Sequence, residues 1–353
     1  PPLRGPCVIP PQDWQDPAFY QSFVERVLVP GWHLVATDRD VREPGTWTTT
    51  TLLPGSLDEP VLITNHDGQL RGFSNVCTHR LATLAAGSGR GRLACPYHGR
   101  RFDLSGRCLG QRHAGPLDAA DDLVSIGLAR WNGLLFASLR PDRPFAEVAG
   151  PLTALLDVLD LAAGRVEPGP DYLVDGPAVA WIENYLEGLH LPWVHPRLNA
   201  VVDAATYRVQ PLAHGCSLQV GAVGAGEPAF DLPPAHPHAD LRVGGLYGWL
   251  FPLTALNLYP WGVSINLVQP LGPARTRIRY LRVVVDETLV DEGAGAGLDG
   301  VEAEDQAIVA RVCTGMRSRL ARPARPVPGH EDGVVGWHDE VGRLTRVTLC
   351  PRP

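Results

Sequence analysis

The chain of 353 residues contains no lysine: all 31 of its permanently charged basic side chains are arginine. With alanine, glycine and proline abundant, this bias reads as that of a GC-rich genome rather than a functional device. Acidic side chains number 38, so the formal net charge is −7. That balance argues against a nucleic-acid-binding surface. No apolar run is long enough to span a bilayer. The opening PPLRGPCVIP lacks the charged-then-apolar pattern of an export signal. Cysteine is sparse and odd in number, seven in all, at Cys7, Cys77, Cys95, Cys108, Cys216, Cys313 and Cys350. In a chain of this length that excludes a secreted disulfide framework. The expected setting is a reducing, cytoplasmic one with no membrane contact.

The length allows two domains, each with its own core. Asp16-Pro17 is a helix-start signal, a capping carboxylate followed by proline at the first helical position. Phe19, Tyr20, Phe23, Val24, Val27 and Leu28 then form one apolar face, and Pro30-Gly31 ends the helix. From Trp32 to about Leu139 the hydrophobic period changes to two. Strands are predicted at 47–53, 61–65, 70–76, 101–103 and across 125–139, with His66-Asp67-Gly68 as a hairpin turn. Residues 140–170, rich in proline and glycine with one short apolar helix, read as the passage between domains. Residues 221–240 read as a mobile surface loop, and His214, His236 and His238, which nothing in the sequence orders, read as solvated. Residues 247–269 and 275–286 read as strands of a larger sheet. A helix capped by Asp299 is predicted to turn Val301, Ile308, Val309 and Val312 towards a core. Asp305 falls near that face, where an unpaired carboxylate is costly; an arginine or a metal ion could meet it, and for the residue taken alone arginine pairing or solvation is the commoner outcome.

Two stretches carry chemistry. The first is Trp181 to His195, WIENYLEGLHLPWVH. Asn184, Glu187 and His190 are spaced to share one helix face. Pro192 disfavours continuing the helix, so the chain can turn and bring His195 to the same point. Two neutral imidazoles on one point suit a borderline ion such as Fe(II), although an HxxxxH alone is more often a pair of packed or surface histidines. The second stretch is Cys77-Thr78-His79-Arg80, followed after residues 81–94 by Cys95-Pro96-Tyr97-His98-Gly99-Arg100. Two thiolates and two imidazoles serve a mononuclear Zn(II) site or a two-iron, two-sulfide cluster with two cysteines on one iron and two histidines on the other. The CxH…CxxH spacing resembles the Rieske motif and not the CxxC…HxxxH order of a zinc finger. Replacing two thiolates by imidazoles lowers the negative charge and raises the potential.

With CTHR and CPYHGR in the N-terminal part and ENYLEGLHLPWVH and EDQAIVARV in the C-terminal part, the chain resembles the α subunits of Rieske non-haem iron oxygenases over essentially its whole length. The resemblance implies an α+β protein. Residues 1–31 would pack on the catalytic domain, residues 32–145 would form an all-β Rieske [2Fe-2S] domain, and residues 146–353 a catalytic domain with a large antiparallel sheet flanked by helices, of helix-grip, START-like type. It implies that Cys77 and Cys95 hold one cluster iron and His79 and His98 the other. His190, His195 and Asp305 become the 2-His-1-carboxylate triad of a mononuclear Fe(II), with open positions for O2. Glu187 matches the acid that bridges this iron to a Rieske histidine of the neighbouring subunit in a homotrimer, with Asn184 on the same wall. Electrons would come from NAD(P)H through a flavin reductase, a ferredoxin, or both.

The small organic substrate is left open between a quaternary amine, for which Tyr247, Trp249, Tyr259 and Trp261 are available as a cage, and an aromatic compound. The choline and carnitine monooxygenase branch is the nearer by resemblance. Two positions depart from the family: Arg100 stands where tryptophan is common, and Cys313 where glutamine is common. A Rieske electron carrier without oxygenase activity is the competing reading. Iron content separates the two: about three iron atoms per chain are expected for an oxygenase, and about two would identify a carrier.

Overall fold

The computed structural model describes residues 8–113 and 115–347. By internal contacts the chain divides into two units, residues 1–28 with 143–353, and residues 29–142. Both breaks fall a few residues before the expected ones.

In the first unit, α1 (Pro11–Trp14) and α2 (Pro17–Phe23) open the chain. Asp16 caps α2 as predicted, its Oδ1 accepting from the Ala18 N–H at 2.9 Å. The expected single helix ends at Phe23, and residues 24–28 continue as a π-helical turn. Trp14 stacks on Trp337 with centroids 5.5 Å apart. The Ile9 N–H donates to His338 Nδ1 at 3.1 Å, and His338 Nε2 lies 2.7 Å from Glu183 Oε1. The N-terminal segment is thereby tied to the same core as the later helices.

The second unit is all β. Its strands are β1 (His33–Thr37), β2 (Thr46–Leu52), β3 (Glu59–His66), β4 (Gln69–Ser74), β5 (Ser88–Arg90), β6 (Leu93–Ala94), β7 (Arg101–Phe102), β8 (Cys108–Gly110), β9 (Ser125–Trp131) and β10 (Leu134–Ser138). They form an antiparallel sheet in the order β1-β10-β9-β4-β3-β2-β5 and a small one, β6-β7-β8. The predicted hairpin turn is present: His66 pairs with Gln69, and Asp67 and Gly68 both take positive φ, 53° and 86°. This suits the right-handed strand twist.

After α3 (Phe145–Leu156) the first unit continues with β11 (Arg165–Val174). Residues 165–174 are therefore a strand, not part of an interdomain passage. Pro168 and Pro170 obscured it, and they are tolerated because β11 is an edge strand that pairs only with one neighbour and is bulged between Pro168 and Asp171. Three short helices follow, α4 (Val179–Tyr185), α5 (Leu191–Val194) and α6 (Pro196–Val201). Then come β12 (Arg208–Pro211), β13 (Ser217–Ala222), β14 (Val243–Leu250), β15 (Thr254–Tyr259), β16 (Gly262–Pro270) and β17 (Thr276–Val284). With β11 they make one antiparallel sheet in the order β11-β17-β16-β15-β14-β13-β12. Two helices complete the unit, α7 (Leu298–Met316) and α8 (Asp332–Thr345).

Three further expectations need correction. His236 and His238 are not solvated; they are 9% and 6% exposed. The loop folds back on α3, where His236 Nε2 lies 3.1 Å from the Leu155 carbonyl oxygen. His214 is half-buried, with Nδ1 3.0 Å from Arg143 Nη1. The cap of α7 is Gly297 at φ +62°, while Asp299 lies in the first turn and pairs with Arg282 at 3.1 Å. The inward face of α7 carries Leu298, Glu302, Val309 and Cys313, and Val312 is exposed.

Gly262 opens β16 at φ +146°, and a Cβ there would lie 2.1 Å from the Val283 carbonyl oxygen. The atoms it would meet are all backbone of Val283 and Val284 on the neighbouring strand, which cannot swing aside as a side chain can. Gly262→Ala is expected to destabilise by roughly 2–3 kcal/mol, read as a lowered midpoint in denaturant unfolding.

Candidate functional site

In the all-β unit the two cysteine–histidine loops have the same backbone plan. The Cys77 carbonyl accepts from the Leu81 N–H at 3.0 Å, and the Cys95 carbonyl from the Gly99 N–H at 3.0 Å. The Cys77 N–H donates to the Ala82 carbonyl at 2.8 Å, and the Cys95 N–H to the Arg100 carbonyl at 2.7 Å. Leu81 and Gly99 close these turns at φ 57° and 69°, the left-handed region in which glycine is unstrained. Both cysteines are buried in an apolar cluster with Phe73, Leu84, Leu93 and Phe102. Both histidines stand outward at the surface, their rings 4.7 Å apart.

The Cys77 thiol is raised by burial and by the neighbouring Cys95 sulfur, partly offset by backbone N–H donors. Desolvation first, and then His98, Arg100 and Arg80, lower His79 and favour the neutral ring. A cation between the sulfurs reverses the first penalty, and a neutral ring is the ligating form. Thiols paired with thiols and imidazoles with imidazoles fit a two-iron cluster with one pair on each metal. Arg100 is buried and pairs with an acid: its Nη1 lies 2.9 Å from Asp121 Oδ1 and donates to Thr78 Oγ1 at 3.0 Å.

In the other unit the helix at Trp181 ends sooner than expected. α4 stops at Tyr185, and Pro192 sits in the first turn of α5 rather than ending a helix. There proline is tolerated, because its missing N–H has no helical partner. Glu187 occupies the intervening turn. It accepts from the Leu189 N–H and the His190 N–H, and its Oε1 lies 2.6 Å from His190 Nδ1. A carboxylate only accepts, so the ring proton sits on Nδ1 and His190 Nε2 is free to ligate.

His195, 1% exposed, is held in the same way: Nδ1 lies 2.8 Å from Glu304 Oε2 and Nε2 lies 3.0 Å from Asp305 Oδ1. Burial by itself lowers His195, but Asp305 and then Glu304 outweigh it and raise the group. His190 Nε2 is 3.8 Å from Asp305 Oδ1, and the Asn184 amide donates to the same oxygen at 2.7 Å. The three groups each offer one ligand atom, all within 4.8 Å of one another. Two imidazoles and one carboxylate in that arrangement suit a single divalent iron with open positions.

These donors border a cavity of ≈ 70 Å³ between the sheet, α4 and α7, room for about five or six water-sized groups. Its sheet wall is a row across four strands. Gln219 on β13 faces Tyr247 on β14, which faces Asn257 on β15, which faces Ser264 on β16. Tyr259 and Asn266 lie two residues further on, on the same face. Of the four aromatics expected for a cage, Tyr247 and Tyr259 line the cavity; Trp249 and Trp261 are core and absent from its lining. Tyr185, Tyr207 and Trp181 take their place. Burial raises all four phenols, so their hydroxyls are neutral.

Two acids escaped the sequence reading, Glu304 behind His195 and Glu302 in the cavity wall. Glu302 is buried, accepts from the Tyr280 hydroxyl and from Asn266 Nδ2, and is pushed up to about 8 by burial and then by the charge of Asp305. The signal was available, because residues 302 and 305 are one turn apart and share a face.

Comparison with known proteins matches a family to each of the two parts of the chain. Residues 31–121 match the Rieske [2Fe-2S] domain, and residues 180–346 match the ring hydroxylating alpha subunit catalytic domain. The chain is similar to choline monooxygenase of Beta vulgaris, 26% identical and covering 94% of this chain and 76% of that one. It is similar to the carnitine monooxygenase oxygenase subunit of Escherichia coli (strain K12), 28% identical over 89% of this chain and 87% of that one. Putrescine 2-hydroxylase of Ralstonia nicotianae is 26% identical, with 95% of both covered. A quaternary ammonium Rieske monooxygenase solved with L-carnitine superposes with a TM-score of 0.73 at 19% identity over 96% of both chains. Naphthalene 1,2-dioxygenase from Rhodococcus gives 0.76 at 18% identity, covering 98% of this chain and 95% of that one. The chain belongs to the Rieske-type ring-hydroxylating oxygenases and is a terminal oxygenase α subunit, an oxidoreductase of the mono- and dioxygenase class. No helix among the described residues is long and apolar enough to cross a membrane.

Asp305→Ala is expected to remove the mononuclear iron and turnover while leaving the cluster's visible spectrum. Iron analysis with coupled O2 uptake checks it; full activity contradicts the ligand assignment.

Proposed function

We propose that the chain uses electrons derived from NAD(P)H, passed on by a reductase or ferredoxin, to activate O2 beside a small organic substrate and hydroxylate or demethylate it. In this reading residues 32–145 carry the cluster on Cys77, Cys95, His79 and His98. Residues 146–353, with the N-terminal helix, carry the iron on His190, His195 and Asp305. The observation that carries it is the meeting of these three ligand atoms from segments over a hundred residues apart. The cluster supplies electrons singly, and the iron supplies the site of O2 reduction.

The chain's own residues set the conditions. Glu187 and Glu304 fix the tautomers of His190 and His195. Asn184 holds Asp305 by its amide. The tyrosine-lined wall excludes bulk water and orients the substrate beside the iron.

Electron entry is proposed to occur between copies in a homotrimer. Glu187 already bonds His190 Nδ1 and has acceptor capacity left for a ring N–H of the partner's cluster. Each unit presents apolar surface beside its site. Trp193, 88% exposed, lies between His190 and His195 in sequence, and Leu81 and Tyr97 are exposed on the two cluster loops. Large exposed apolar groups beside redox ligands suit a docked interface. One solved quaternary ammonium monooxygenase is described as showing inter-subunit electron transfer. A bare electron carrier would leave the whole of residues 180–346 without a role.

The relatives act on choline, carnitine, putrescine or naphthalene by name. The lining here, tyrosines and carboxylates together, favours the amines over neutral arenes.

Glu187→Gln is expected to keep both metals and slow electron arrival at the mononuclear iron by about tenfold or more. Rapid-mixing single-turnover kinetics, following oxidation of the prereduced cluster with substrate present, reads this directly. An unchanged rate removes Glu187 from the path.

A further inference from the structure

We propose that Glu302 is the counter-ion of the substrate: it selects a small organic cation that carries no carboxylate of its own. The inference rests on the oxygenase reading and deepens it. Glu302 lies on the cavity wall, one helical turn from Asp305, and is 8% exposed. Its carboxyl accepts from the Tyr280 hydroxyl and from Asn266 Nδ2 at 3.4 Å. Asn266 is held in turn by Asn257, whose amide donates to Asn266 Oδ1 at 3.0 Å. Two neutral donors leave acceptor capacity on the carboxylate.

Among the described residues the cavity lining contains no arginine, and the chain contains no lysine at all. A buried acid without a basic partner is a poor anion until a cation arrives beside it. Among the described residues of the wall, only the iron-binding groups could offset a substrate carboxylate, and Glu302 on the cavity side would repel it.

A second observation points the same way. The Tyr247 hydroxyl is buried in the cavity wall and has no hydrogen-bond partner among the described residues. It can donate to a substrate hydroxyl or accept from an ammonium N–H. The rings of Tyr247 and Tyr259, 5.9 Å apart and edge to face, with Tyr207 6.3 Å from Tyr247, supply faces for a cationic centre. Glu302 is therefore a specificity residue, distinct from the iron ligands.

The test is calorimetric titration of the iron- and cluster-loaded protein with choline, putrescine, the neutral choline isostere 3,3-dimethylbutan-1-ol, and L-carnitine. Choline or putrescine is expected to bind about tenfold more tightly than the neutral isostere and more tightly than L-carnitine. In Glu302→Gln that preference should fall below about threefold at unchanged iron content and cluster absorbance. Tyr280→Phe keeps the carboxylate and removes its hydroxyl partner. It should retain the cation preference, whereas a purely structural role for Glu302 predicts that both variants lose it together. No binding of either cation, equal binding of the neutral isostere, or tighter binding of L-carnitine overturns the proposal. Because binding is read without turnover, that failure would leave the oxygenase reading standing. That reading is tested separately by iron content and O2 uptake.

Discussion

One carboxylate, Asp305, sits where two imidazoles meet, and the architecture of the catalytic unit serves that meeting. Each imidazole has its far nitrogen committed to an acid, His190 to Glu187 at 2.6 Å and His195 to Glu304 at 2.8 Å. The near nitrogens are thereby aimed at one point, where they would ligate a metal ion. Asn184 adds a donor to Asp305. Four acids close together, counting Glu302, are an unfavourable arrangement without positive charge among them. A divalent ion at the triad supplies part of that charge. The remainder falls on the cavity side, where the proposed substrate cation would lie.

The sheet explains why a cavity exists there. On a strand facing a packed core, inward positions are normally apolar. Here the row Gln219, Tyr247, Asn257 and Ser264 puts polar groups inward across four neighbouring strands. Some are held by neighbours: Tyr207 donates to Gln219, and Asn257 donates to the Ser264 carbonyl and to Asn266. Such a network keeps its shape without being filled. The cluster unit solves a different problem. Its sulfurs are rooted in the apolar core while its imidazoles reach the surface, so electrons can enter and leave without the core opening.

Legibility in the sequence followed how local each device is. The cluster ligands come as close pairs on two short loops, and the spacing alone distinguished them from a zinc finger. Glu187 and His190 were legible for the same reason, though the helix expected to carry both ends at Tyr185. Burial that depends on tertiary contact was not legible. His236 and His238 lie in a segment of proline and glycine, and only the fold shows that it packs on α3. The strand at 165–174 was obscured by two prolines that an edge position tolerates. Glu302 is not legible from the apolar pattern, because Val301, Ile308, Val309 and Val312 point to a different inward face of α7. The actual face runs through Leu298, Glu302, Asp305, Val309 and Cys313.

The most direct test of the central claim is a crystal structure of the iron-loaded protein with anomalous maps at the iron edge. The account predicts a paired iron peak between Cys77, Cys95, His79 and His98. It also predicts a separate single peak bonded to His190 Nε2, His195 Nε2 and Asp305. A single peak held instead by Glu302 or Glu304, or no iron at the triad in protein that turns over, would contradict it.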